Sequence, residues 1–169
     1  MTPERLHLIL VHLPIVGLMA ALIPLAWAAL RGDRTATTLG FVTAAAFSVA
    51  TPLVVATGER AEDRAEQGAG ALQLDPAGAH WLEVHEERAE VGAVVLYLAA
   101  AVFAGGAVLG LKQPDRARTW SSGGLVLAVG ALGVLAWVAD AGGKVRHPEL
   151  RPAGAAPAWP AARDLDDTD

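Results

Sequence analysis

Long uncharged stretches alternate with short charged ones along this chain. Residues 6–30, 35–58, 91–111 and 119–139 hold no Asp, Glu, Lys or Arg. At about 1.5 Å per residue, each is long enough to cross a hydrocarbon layer of about 30 Å as a helix. Four such runs in succession predict an all-α integral membrane four-helix bundle. The competing reading is a soluble bundle of Ala-rich helices, and four successive uncharged runs of about 20 residues weigh against it. Helices are expected over residues 6–30, 35–60, 81–111 and 119–140, within one four-transmembrane-helix domain spanning 1–150. The acidic, Pro/Ala-rich segment 151–169 has little to bury and is expected to stay disordered unless a partner orders it.

Charge in the connections sets the expected orientation. The two short loops, 31–34 and 112–118, are basic, whereas the long connection 59–90 is rich in Asp and Glu. Lys and Arg in short loops mark the cytoplasmic side. An up-down-up-down bundle then has both termini on the outer, periplasmic side of a bacterial inner (plasma) membrane, as a multi-pass protein.

Composition narrows the chemistry. Apolar residues make up 53% of the chain and charged residues 18%, against about 25% charged in soluble domains. With no cysteine, disulfides, thiolate metal sites, iron–sulfur clusters and c-type haem attachment are excluded. The first apolar run is too long for the core of a signal peptide. A net charge of −5, with the bases at helix ends, gives no support to nucleic-acid binding. No nucleophile has a base at a recognisable spacing and no phosphate-binding loop is present, so catalysis is not the expected role. Small residues such as Gly106 and Gly110 read as helix-packing positions, and no internal repeat is evident.

The candidate chemistry lies in five histidines: His7, His12, His80, His85 and His147. Up-down threading gathers all five at one end, together with Glu59, Glu86 and Glu90. His12 lies inside the first apolar run, where an ionisable residue is a functional candidate, and Pro14 is expected to make the backbone there irregular. Trp81, His85, Ala89 and Gly92 form one helical stripe that points His85 inward. His80 lies roughly 140° away from it. A turn at Gly142-Gly143 is expected to fold His147 back over the bundle mouth. Neutral imidazole is the commonest metal ligand and an axial ligand of b-type haem. Two of His12, His85 and His147 are therefore expected to hold a haem b, with Ala89 and Gly92 leaving room and Arg60, Arg88 or Arg146 meeting its propionates. His12 and His85 are equally the candidate ligands of a free metal ion, with Glu59 and Glu86 around it. Spacing alone does not separate haem, a copper or zinc ion, a quinone, or no ligand.

The segments Leu6-His7-Leu8-Ile9-Leu10-Val11-His12-Leu13-Pro14-Ile15, Ala56-Thr57-Gly58-Glu59, His85-Glu86-Glu87-Arg88-Ala89 and Gly142-Gly143-Lys144-Val145-Arg146-His147-Pro148-Glu149-Leu150 resemble an uncharacterised family of four-helix bacterial membrane proteins. That family is a domain of unknown function marked by a His-Leu/Phe-Pro-Ile motif in its first helix, matched here by His12-Leu13-Pro14-Ile15. Some relatives are fused to c-type cytochrome domains, so the resemblance implies a redox setting. The expectation is a membrane electron-transfer or redox-accessory subunit with a histidine-ligated b-type haem near the outer face. Its partners would be the lipid bilayer and either other membrane subunits or a periplasmic redox protein. A cofactor-free structural subunit of a larger membrane complex and a His/Glu metal-ion site at the periplasmic face are the alternatives.

Overall fold

The computed structural model describes residues 2–66 and 74–152. The acidic tail falls almost wholly outside them. The described residues are helical, with no strand. Four spans, Pro3–Arg31, Arg34–Ala65, Pro76–Lys112 and Pro114–Arg146, are each long and apolar enough to cross a membrane.

Prolines divide the first two spans. The first consists of α1 (Pro3–Leu10) and α2 (His12–Arg31), meeting at Val11. Pro14 has no N–H to offer the Leu10 carbonyl, and its ring crowds that oxygen. The second consists of α3 (Arg34–Ser48) and α4 (Thr51–Glu66). There Pro52 leaves the Ser48 carbonyl without its helical donor, and the Thr51 hydroxyl donates to it instead at 2.7 Å. The third and fourth spans are built on the uninterrupted helices α5 (Pro76–Lys112) and α6 (Ala117–Arg146).

Helix α2 packs against α3 and α6, and α5 packs against the same two. The four spans therefore form a square with α2 and α5 on one diagonal. The core is made largely of small side chains, among them Ala21, Ala28, Ala44, Ala99 and Ala128, with Leu18, Leu25, Phe41 and Phe103 filling the gaps. Large apolar side chains point outward instead: Ile23, Leu30 and Val126 are each about three-quarters exposed. Small residues inside and bulky ones outside are the membrane arrangement, because helices attract one another there by close packing rather than by escape from water. A Cβ on Gly106 would fall 2.3 Å from the Phe41 ring, so that ring lies directly on α5 backbone.

Aromatic and charged groups gather at both ends. At one end Arg31 lies over the Trp27 ring, and Arg34 donates to the Leu111 carbonyl at 3.0 Å. At the other, Arg88 lies over Trp137 and binds Asp140, while Lys144 lies over Trp81. Such groups suit the polar boundary of a bilayer.

The last two helices are longer than the charge pattern suggests. Helix α5 starts at Pro76, ahead of Trp81, because Asp75 caps it by accepting from the Gly78 N–H and Pro76 is favourable in a first turn. Helix α6 does not turn at Gly142-Gly143. It continues to Arg146, and its last carbonyls are closed by Arg151, whose Nε and Nη2 donate to Lys144 O and Val145 O at 2.8 and 3.0 Å. The Nη1 group of Arg151 binds Asp75 Oδ2 at 2.8 Å. One guanidinium thus fastens the end of α6 to the start of α5.

The Arg151 guanidinium, followed by the Gly78 N–H, holds the Asp75 carboxyl below its usual value. A carboxylate lowered on folding stabilises above its ordinary pKa of about 4 and loses that contribution as pH falls through the lowered value. Asp75→Asn should therefore melt below the parent at neutral pH, and the gap should close as the pH falls below about 4. Thermal melts of both proteins across that range measure it. A gap that persists unchanged in acid would remove the ion pair as its cause.

Candidate functional site

The histidine-bearing end is built by α1, α4, the start of α5 and the end of α6. His7 and His12 are five residues apart on the first span, so they face roughly 140° away from each other. His7 faces inward and is half-buried. Its Nδ1 donates to the Val54 carbonyl of α4 at 3.0 Å, with the Thr57 hydroxyl 3.5 Å away. A Cβ on Gly58 would lie 3.1 Å from His7 Cε1, so the ring rests flush on the α4 backbone.

His85 has the same arrangement on α5. It is half-buried, and its Nδ1 donates to the Val138 carbonyl of α6 at 3.1 Å. Here Gly142 supplies the open backbone, and a Cβ on it would lie 3.0 Å from His85 Cε1. Position 142 therefore has to be glycine, since the His85 ring occupies the space a side chain would need.

A carbonyl only accepts, so each Nδ1 carries a proton, and in the neutral ring Nε2 is then the nitrogen with the lone pair. A backbone carbonyl on the far nitrogen is the usual support for a ligating histidine: it fixes the tautomer and makes the near nitrogen more basic. The two imidazoles come from spans on opposite corners of the square. About two turns further along the same faces stand Pro14 and Gly92, both buried; Gly92 does not leave the room expected of it, because Val138 of α6 packs there, its Cγ2 3.0 Å from where a Cβ would lie. Among the described residues two buried polar side-chain atoms have no hydrogen-bond partner, the Ser48 hydroxyl on the second span and Trp120 Nε1 on α6.

The other expected ligands lie elsewhere. His12 is exposed and bonds to the Leu8 carbonyl of its own helix at 2.6 Å, beside the Val11 interruption. His147 is exposed and pairs with Glu149 at 2.8 Å, outside the bundle mouth. The structure does not bring His12, His85 and His147 together. Glu59 and Glu86 are exposed. His80 is exposed, with its ring 5.8 Å from that of Trp81. Among the described residues no group of three or more His, Cys, Asp or Glu side chains gathers as a metal ion would require.

Sequence reasoning missed His7 because the residue stands at the margin of the first apolar run, while His12 stands inside it. A signal was nevertheless present. His7, Pro14, Leu18, Ala21, Leu25 and Ala28 follow one another at spacings of seven, four, three, four and three, the repeat of an inward-facing stripe. His12 is off that stripe. Comparisons with protein-family models, with curated proteins and with solved structures found no match to this chain.

Proposed function

We propose that the protein is an electron-transfer or redox-accessory subunit of the bacterial plasma membrane that holds one b-type haem near its outer face. In this reading the four spans run up and down, both termini lie outside, and the basic loops 31–34 and 112–118 face the cytoplasm. His7 and His85 would hold the haem through Nε2.

The carrying observation is the pair itself: two half-buried imidazoles, on opposite corners of the bundle, each with Nδ1 tied to a neighbouring backbone carbonyl. Haem asks for only two protein ligands, so the missing third or fourth donor that counts against a free metal ion does not count against it. When bound, the haem supplies one-electron redox chemistry. The protein's own part is to fix the two imidazoles, keep their Nδ1 protons on carbonyls and shield the site with apolar helix faces. Arg88, half-buried beside Asp140, is one cation at that end able to meet a propionate.

The test is an absorbance spectrum of the purified full-length protein, oxidised and then reduced with dithionite. A b-type α-band on reduction, at one haem per chain, is expected. A colourless protein expressed with ample haem would sink this reading and leave a structural subunit.

A further inference from the structure

We infer that the bundle is two copies of one helical hairpin joined in a single chain about a two-fold axis, and that the imidazole site straddles this axis, one equivalent half from each copy. The haem reading enters only in naming the occupant.

The stripe on the first span recurs on the third. His85, Gly92, Leu96, Ala99, Phe103 and Gly106 follow one another at the same spacings as His7, Pro14, Leu18, Ala21, Leu25 and Ala28. Apart from the two half-buried histidines, every member of both stripes is buried. The second and fourth spans correspond under their own constant shift. Arg34-Thr35 matches Arg118-Thr119, Gly40 matches Gly124, Ala44 matches Ala128, and Val54 and Gly58 match Val138 and Gly142.

Contacts obey the same relation, which residue spacing alone does not require. His7 bonds to Val54 O and rests on Gly58; His85 bonds to Val138 O and rests on Gly142. At the opposite end Arg34 reaches Leu111 O, next to Gly110, and Arg118 packs on Gly32, the counterpart of Gly110. Thr37 and Ser121 are counterparts, and their hydroxyls bond to each other at 2.9 Å. Two equivalent groups touch each other only where the two-fold axis passes between them, so this pair locates the axis within the core.

The symmetry restricts what the site holds. An occupant on the axis meets the same imidazole, with the same carbonyl behind it, from both sides. The fitting class is a flat ligand with one central metal coordinated once on each face. With His7 and His85 both holding it, such a group would have no open position for a gas or a substrate. Such a site would pass electrons and would not bind oxygen.

Matched variants of the full-length protein test this. Gly58→Ala and Gly142→Ala each drive a methyl against their own imidazole, at nearly equal distance. Both should lower the thermal midpoint in detergent by the same amount within error, and both should shift the reduced spectrum alike. Gly130→Ala, which meets nothing within 4 Å, should change neither. Carbon monoxide added to the reduced protein should leave the Soret band in place. Loss in one glycine variant with silence in the other would overturn the two-fold site, and a Soret shift with carbon monoxide would overturn coordination from both sides. A colourless protein whose two variants still lose equal stability would retain the two-fold relation and remove the haem reading alone.

Discussion

His7→Ala and His85→Ala should each strip the purified protein of its pigment, while His12→Ala and His147→Ala leave it at full occupancy. On the proposed reading each of the first two removes one nitrogen that would hold the haem, and haem per polypeptide should fall about tenfold or more, since loss even of a supporting contact behind a ligating histidine costs 10–100-fold. The double variant should be no worse than either single one, because the two nitrogens act on one iron as a unit. Both variants also lose the bond to Val54 or Val138, worth about 1 kcal/mol, so the helices should still assemble. Exogenous imidazole separates ligation from packing. It should restore pigment to His7→Ala by filling the vacated space, which a purely structural histidine would not allow. Pigment retained in both His7→Ala and His85→Ala would end the site. Pigment lost in His12→Ala alone would return ligation to the His-Leu-Pro-Ile segment.

Gly17→Ala should be among the most damaging single-methyl changes in the bundle. The new Cβ would fall 2.0 Å from Phe47 Cβ and 2.1 Å from its Cγ. Rotation of the Phe47 ring relieves nothing at its Cβ, which is fixed to the α3 backbone, so α2 and α3 have to separate. Overpacking of this kind costs typically about 1–3 kcal/mol, and more where backbone must move. For a chain of this size each kcal/mol lowers the melting midpoint by roughly 2–4 °C. Gly105→Ala is the control, with nothing within 4 Å of its added Cβ. Thermal melts in detergent compare the two. Equal midpoints would mean that α2 and α3 do not approach as closely as Gly17 and Phe47 require.

The sequence carries the fold class openly. Uncharged runs at 6–30, 35–58, 91–111 and 119–139 mark four spans because burying a charge in hydrocarbon is expensive at any position. Helix ends were less legible. Asp75-Pro76 is a readable start signal, but the continuation of α6 through Gly142-Gly143 goes with contacts made from outside that pair, the Val138 carbonyl and bare Gly142 backbone against His85 and the last carbonyls against Arg151. Two adjacent glycines taken alone read as a turn.

Of the two histidines that face inward, one was legible. His85 was expected to face inward from the stripe Trp81, His85, Ala89 and Gly92, and it is half-buried against α6. Its counterpart was not found, since hydropathy favours the histidine deepest in a run, whereas inward direction is a matter of helical phase. His12 is deeper and faces outward; His7 is shallower and faces inward. The internal repeat escaped for a related reason. Counterparts such as Pro14 and Gly92, or Leu25 and Phe103, share burial and not chemistry, and the two halves need different shifts because their connecting loops differ in length.

What the sequence determined by itself was therefore the number of spans, their apolar outer faces and the stock of imidazoles. These follow from composition and period, which act locally along the chain. What the tertiary structure alone decided was which imidazole meets which carbonyl, and that the two hairpins present matching halves to one another. Those contacts join groups such as His7 with Val54 and His85 with Val138, far apart in sequence. They exist only because glycines 58 and 142 leave backbone bare at the depth where each ring arrives.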